Sequence, residues 1–432
     1  MSTDAVAALG FVALFALMLM RVPIGIAMGL VGVIGFGYLT DFGAALNIVA
    51  QSPIRTVTDL GFGVVPLFLL MGAFATASGM SRELYDLAHR FLGHLRGGLG
   101  IATIAASAGF AAISGSSVAS AATFAAVAYP EMKRHGYSDS FATGVIAAGG
   151  TLGIMIPPSV VMAVYGIITE QDIGKLFIAG IIPGLIATAM YILTINVMAL
   201  VRPGQFPAAP RSSWKERSAA LRGIWALVLL FVFVIGGLYA GAFTPTEAAG
   251  MGAAGAFIIA VARRRLTWAS FVKSLVDTVR TTAAVFTILI GALIFGYFLT
   301  ITQTPQKLTE FIAGLGIGKY GVLALIMIMY LVLGCILDAM AMIILTIPII
   351  FPAMMSLGFD PIWFGVIIVM TVELGLITPP VGMNVYVING VLRHVSLSTI
   401  FYGVTPFILT DIVRLAILVA FPILATFLPS HM

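Results

Sequence analysis

Four short stretches hold the residues best suited to gripping an ion or a small polar molecule. The first is Ser114-Gly115-Ser116-Ser117, a polar run between two apolar arms. The second runs from Gly149, Gly150, Thr151 and Gly153 to the double proline Pro157-Pro158. The third is Cys335-Ile336-Leu337-Asp338, and the fourth runs from Glu373 through Gly375 and Thr378 to Pro379-Pro380. Proline lacks an amide hydrogen and clashes with the preceding turn, so each double proline should unwind a helix and free carbonyl oxygens. Freed carbonyls, hydroxyls and a carboxylate are hard oxygen donors, the kind that suit a cation such as sodium.

The surrounding sequence says what must position these groups. Of 432 residues, 60% are hydrophobic and 9% charged, whereas a soluble domain carries about 25% charged residues. Most of the surface must therefore face lipid, and the elements are transmembrane helices. Non-helical chain at membrane depth is tolerated only where it is buried or lines a cavity, so the four irregular stretches mark an internal site. The formal net charge of +5 does not imply nucleic acid, because the basic residues lie between apolar runs and form no soluble basic face. The single Cys335 excludes an internal disulfide, and neither a zinc-spaced Cys/His cluster nor a phosphate loop nor a nucleophile elbow is present. ATP hydrolysis by this chain is thereby excluded as a driving force.

The four stretches are two copies of two. Adding 222 to a position in the first half repeatedly returns the same residue type: Pro23 meets Pro245, Ala27 meets Ala249, Pro130 meets Pro352, and Pro157-Pro158 meets Pro379-Pro380. Ser116 aligns with Asp338 and Thr151 with Glu373. The chain therefore divides into a first repeat at 1 to 210, a linker at 211 to 222 and a second repeat at 223 to 432. The first repeat has five apolar crossings, at about 5 to 20, 23 to 40, 63 to 80, 138 to 170 and 176 to 201. A hairpin at about 97 to 132 lies between the third and fourth. Its counterpart lies at about 320 to 355, followed by a second broken helix at about 360 to 391. The mixed segments 45 to 60 and 267 to 282 read as interfacial arm helices.

A hairpin adds an even number of passes, so each repeat crosses an odd number of times and the second copy enters upside down, a plan common in secondary transporters. With the loop at 81 to 96 placed inside, seventeen of the 22 Lys and Arg fall in inside segments. Arg55, Lys175, Lys307 and Lys319 fall outside, and Arg414 lies within the last apolar run, in keeping with the positive-inside bias. The expected fold is an all-α polytopic membrane protein of two inverted-topology repeats, each with a re-entrant helical hairpin and a broken transmembrane helix. Helix ends meeting at the hairpin tips would favour an anionic group there, giving one cation per repeat with an organic anion between. Glu247, Asp411 and Arg414 read as capping or structural charges.

The motifs F-T-P-T-E-A-A at 243 to 249, S-G-S-S at 114 to 117, P-E-M-K-R-H-G-Y at 130 to 137, G-T-L-G-I-M-I-P-P-S at 150 to 159 and G-L-I-T-P-P-V-G-M-N at 375 to 384 carry a family likeness over nearly the whole chain. It resembles the large membrane subunit of TRAP (tripartite ATP-independent periplasmic) transporters. The resemblance implies a sodium-driven elevator in the bacterial inner membrane, importing organic acids of the C4-dicarboxylate, keto acid or sialic acid type. A periplasmic substrate-binding protein would deliver the substrate, a small four-helix membrane subunit would accompany the chain, and no cofactor other than the coupling sodium ions is implied. By similarity the ion and substrate sites would comprise Ser114, Gly115, Ser116, Ser117, Gly150, Thr151, Gly153, Pro157, Asp338, Glu373, Gly375, Thr378, Pro379 and Asn384. Sodium ligands would be drawn from Ser114, Ser116, Thr151, Asp338 and Thr378. The hairpins and broken helices would form the moving transport domain, and the remaining helices and arms the scaffold.

A stand-alone sodium/dicarboxylate symporter shares the hairpin plan without needing a binding protein and is the main alternative. An intramembrane enzyme using Asp338 and Glu373 is a second, but no protease motif frames the two acids.

Overall fold

The computed structural model describes residues 1–314 and 316–432, and among the described residues all regular structure is helical. Among the described residues, seven helices are long and apolar enough to cross a membrane, or eight if the bent pair Trp214–Gly223 and Trp225–Tyr239 forms one span. Thr3–Leu19 and Ile24–Leu39 are equally apolar but shorter, at 17 and 16 residues.

The repeat offset of 222 reappears in the helix boundaries. The second arm of the first hairpin, Ser117–Arg134, and its counterpart Ala339–Ser356 begin and end at related positions. Asp139–Met155 and Pro361–Gly375 start at related residues, and Val160–Thr169 and Met383–Val391 end at related residues. Packing is reciprocal as well: Ile24–Leu39 lies on Trp268–Ile301 of the second repeat, while Pro245–Ala262 lies on Val64–Ala77 of the first.

One segment departs from the repeat. The first arm, Phe42–Thr58, ends at Asp59, whose carboxylate accepts a hydrogen bond from the Gly61 amide at 2.8 Å and closes the turn Leu60–Gly63. At the same offset, Ala283 and Val285 replace Gly61 and Gly63. These residues cost less in a helix than glycine, and the segment 267 to 282 is the start of one 34-residue helix, Trp268–Ile301, not a separate arm.

Burial separates two classes of helix. Every residue of Pro361–Gly375 from Trp363 onward is buried, as is almost all of Asp139–Met155. A helix that is apolar on all sides must be enclosed, and here the enclosure is protein. By contrast Val12, Ile34, Leu193, Val232 and Ile258 lie exposed on the outer helices, the distribution required of a lipid-facing surface. The helices before the two breaks, with Gly98–Ser114 of the first hairpin, thus form the interior, whereas Gly318–Gly334 of the second hairpin exposes Leu325, Ile328 and Val332.

Candidate functional site at the hairpin tips

The first hairpin reverses at Gly115, which takes a left-handed φ of +60°. A Cβ there would also sit 2.8 Å from the Pro158 carbonyl oxygen, so the tip rests directly on the first break. Ser116 follows as the N-cap of Ser117–Arg134, its hydroxyl accepting from the Ala119 amide at 3.3 Å. Asp338 occupies the same place in the second hairpin, between Gly318–Gly334 and Ala339–Ser356. Its Oδ1 accepts from the amides of Met340 at 2.9 Å and Ala341 at 3.1 Å. Both tip residues are therefore helix N-caps, which alone accounts for an oxygen-bearing side chain at each.

The two tips line one cavity of about 110 Å³. Gly115, Ser116 and Ser117 enter from one hairpin and Asp338, Ala339 and Met340 from the other. Ile154 and Leu376 come from the last turns before the breaks, and Leu69, Thr281 and Val285 close the remaining side. Two helix N-termini, each with a partial positive charge and each capped by its own tip residue, converge on this space from opposite repeats.

The breaks hold the tips in place. Each contains a cis peptide bond, at Pro157-Pro158 and at Pro379-Pro380. Close approach depends on glycine: a Cβ on Gly153 would lie 2.6 Å from the Ser116 carbonyl oxygen, and one on Gly375 would lie 2.8 Å from the Gly334 Cα. Gly150 packs on Ala121 of the first hairpin in the same manner. The Cys335 thiol donates to the Pro379 carbonyl at 3.1 Å, joining the second tip to the second break. Ser114 is buried with its hydroxyl 2.9 Å from that of Ser120. Thr378 donates to the Leu374 carbonyl at 2.6 Å. Asn384 is fully buried, its amide 3.5 Å from the Ala147 carbonyl and its Oδ1 without a partner.

Thr151 and Glu373 lie away from the cavity, in a second polar cluster. Thr151 donates to the Ala148 carbonyl at 2.8 Å and sits 3.2 Å from the Tyr191 hydroxyl. Tyr191 donates to both Asp411 oxygens at 2.8 and 2.7 Å, and Arg414 bridges Asp411 at 3.1 Å and Glu373 at 2.9 Å. The aligned pair Thr151 and Glu373 is thus joined through a third, a fourth and a fifth residue. Of the fourteen site candidates, only Gly115, Ser116, Ser117 and Asp338 face the cavity; the others are its supports or belong to the buried cluster. Sequence reasoning missed Leu69, Thr281, Val285, Met340 and Met383 as lining residues. A helical i, i+4 spacing of Thr281 and Val285 was the one available sign, and the second-arm assignment of that segment masked it. Among the described residues no group of three or more His, Cys, Asp or Glu is placed to hold a metal ion.

The family model described as the DctM component of the tripartite ATP-independent periplasmic transporter matches residues 11–424. A C4-dicarboxylate TRAP transporter large permease protein of Pseudomonas aeruginosa is 40% identical over 368 residues, 85% of each chain. The Vibrio cholerae protein of the same description is 34% identical over 98% of this chain and 97% of its own length. A sialic acid TRAP transporter large permease protein from Vibrio cholerae is 31% identical over 94% and 95%. Among solved structures, the fold is similar to that of the Alcanivorax borkumensis YdaH transporter, with a TM-score of 0.64 and 16% identity over 88% of this chain and 90% of that one. The relatives are components of tripartite systems, which favours the reading with a binding protein over the stand-alone symporter.

Proposed function

The chain belongs to the DctM component family of tripartite ATP-independent periplasmic transporters, and on that premise we propose that it imports an organic acid by sodium-coupled movement of the hairpin and broken-helix core. The observation that carries this reading is the single cavity shared by Ser116 and Asp338, the offset-related N-caps of the two hairpins. Converging helix N-termini favour a carboxylate in that cavity. The oxygen-rich tips and the chain breaks behind them supply donors for one sodium ion per repeat. The chain itself carries out no chemical conversion.

Two partners complete the system in this reading: a small membrane subunit of four helices and a periplasmic substrate-binding protein. The named relatives serve C4-dicarboxylate and sialic acid, so the substrate here is placed in the same broad class of organic acids. The hairpins and broken helices form the moving body, and the outer helices, with Phe42–Thr58 and Trp268–Ile301, form the fixed frame.

Uptake of a panel of radiolabelled organic acids into proteoliposomes containing the chain and its small subunit tests the proposal. Uptake that requires both an inward sodium gradient and the binding protein is the expected result. Uptake by the chain alone, or uptake indifferent to sodium, would overturn it.

A further inference from the structure

Two helix joints meet at the side of the protein that the charge distribution places inside. Trp214–Gly223 and Trp225–Tyr239 bend by 43° at Ile224, and Pro245–Ala262 turns into Trp268–Ile301 through Arg263, Arg264 and Arg265. Trp214, Trp225 and Trp268 at these joints are exposed, whereas the fourth tryptophan of the chain, Trp363, is buried. Exposed indole rings settle at the level of the lipid headgroups, so the joints lie at the membrane boundary.

Arg263 pins the joints together. Its Nη2 donates to the Gly223 carbonyl at 2.8 Å, its Nη1 meets the Glu83 carboxylate at 2.6 Å, and its guanidinium lies 5.6 Å from the centre of the Trp225 ring. Arg265 also pairs with Glu83, at 3.3 Å, and Arg90 matches the nearby carboxylates Asp86 and Glu216 at 3.0 and 3.5 Å. Arg222, just before Gly223, and Arg264, just after Arg263, therefore flank the junction. Both are exposed and neither has an ion pair among the described residues. Arg264 also holds a left-handed φ of +52°, which strains any residue with a Cβ.

Beyond the two arginines the surface is apolar. Trp225, Val228, Leu229 and Val232 are exposed on one helix, and Ile258 and Val261 on the helix packed against it. Trp225 to Val232 and Ile258 to Arg264 each span about two turns, roughly 10 Å, which fits within the roughly 15 Å of hydrocarbon in one leaflet. Guanidinium forks suit phosphate oxygens, and an apolar face leading away from them suits a ligand that carries acyl chains. A soluble anion would make no use of that face.

We propose that this junction binds an anionic phospholipid of the inner leaflet, its phosphate held between Arg222 and Arg264 and its chains laid on Trp225–Tyr239 and Pro245–Ala262. The site stands whether or not the chain carries an organic acid.

The detergent-solubilised full chain is mixed with phosphatidylglycerol or with phosphatidylcholine of the same acyl chains, and retained lipid is read by native mass spectrometry. Wild type should favour phosphatidylglycerol. Arg222→Gln with Arg264→Gly should lower that preference by about tenfold or more, the scale of two basic groups at a charged membrane surface. Glycine relaxes the left-handed turn, so this variant should melt no lower than wild type in phosphatidylcholine. Arg96→Gln with Arg211→Gln removes two other exposed charges of the inner side and should leave the preference unchanged. Equal losses in the two double variants would show diffuse attraction and overturn the site. On the wild type, phosphatidylglycerol with a photoactivatable chain should label the peptides around 225 to 232 or 258 to 261 more than its phosphatidylcholine counterpart does. Labelling confined to other peptides would overturn the site. So would displacement of the lipid by inorganic phosphate, or its exclusion from these peptides by the small membrane subunit.

Discussion

Arg414 and Glu373 meet at 2.9 Å with both side chains 0% exposed, a buried ion pair that Asp411 extends at 3.1 Å and Tyr191 completes. The cluster ties the crossing Leu397–Ala420 to Pro361–Gly375, immediately before the second break. Through Tyr191 and Thr151 it also reaches the first broken helix. It couples the two breaks without entering the cavity.

Removing one partner leaves charges buried without compensation. Arg414→Ala should cost about 3–5 kcal/mol, read as a large fall in thermal midpoint of the detergent-solubilised protein. An unchanged midpoint would show that the cluster contributes nothing to stability.

Asp338 has a capping role and, in the proposed function, an ion-binding one. Asn is as good an N-cap as Asp, whereas Ala loses about 1 kcal/mol. Asp338→Asn should therefore keep the thermal midpoint but raise the sodium concentration needed for half-maximal uptake, while Asp338→Ala should lower both stability and uptake. If Asn supports wild-type sodium activation, the carboxylate charge has no part in coupling.

Gly153 and Gly375 admit the hairpins to the breaks. Gly153→Ala would place its Cβ 2.6 Å from the Ser116 carbonyl, and overpacking of this kind costs about 1–3 kcal/mol. Transport should fall sharply. Gly390→Ala, with nothing within 4 Å of its Cβ in the helix Met383–Val391, should instead be neutral or stabilise by about 0.5–1 kcal/mol. Parallel melting and uptake assays compare the two.

His89 lies in the amphipathic helix Met80–Leu92, 5.9 Å from the His135 ring. Burial holds its imidazole below the ordinary value of 6.5, against the opposing pull of Glu131. The folded protein thus binds a proton less readily than the unfolded chain. Its contribution is complete above pH 6.5 and is lost as the pH falls through that value toward the folded one. The thermal midpoint should decline between pH 7.5 and 5.5, and His89→Gln should flatten that decline.

The chain sequence alone determined the membrane setting, the duplication and the positions of tips and breaks. These follow from local properties: apolar runs long enough for lipid, prolines that stop helices, glycines that reverse them, and one constant offset. The helix ends at Arg134 and Ser356, and at Thr169 and Val391, keep that offset because the same local signals act in both repeats. Even the continuous helix Trp268–Ile301 was written locally, in Ala283 and Val285 where the first repeat has Gly61 and Gly63.

Only the tertiary structure decided which polar groups meet. Tyr191 and Asp411 are 220 residues apart, and Glu373 and Arg414 are 41 apart; neither pair follows the repeat offset. Nothing local distinguishes Glu373, enclosed in an ion pair, from Asp338, half-exposed at the cavity. The difference arises because a side chain's partners are set by which helix faces pack together, and in a largely apolar chain many facings bury the same surface. The packed structure places Arg414 against Glu373, leaves Asp338 at the tip, and brings Thr281 of Trp268–Ile301 to the same cavity.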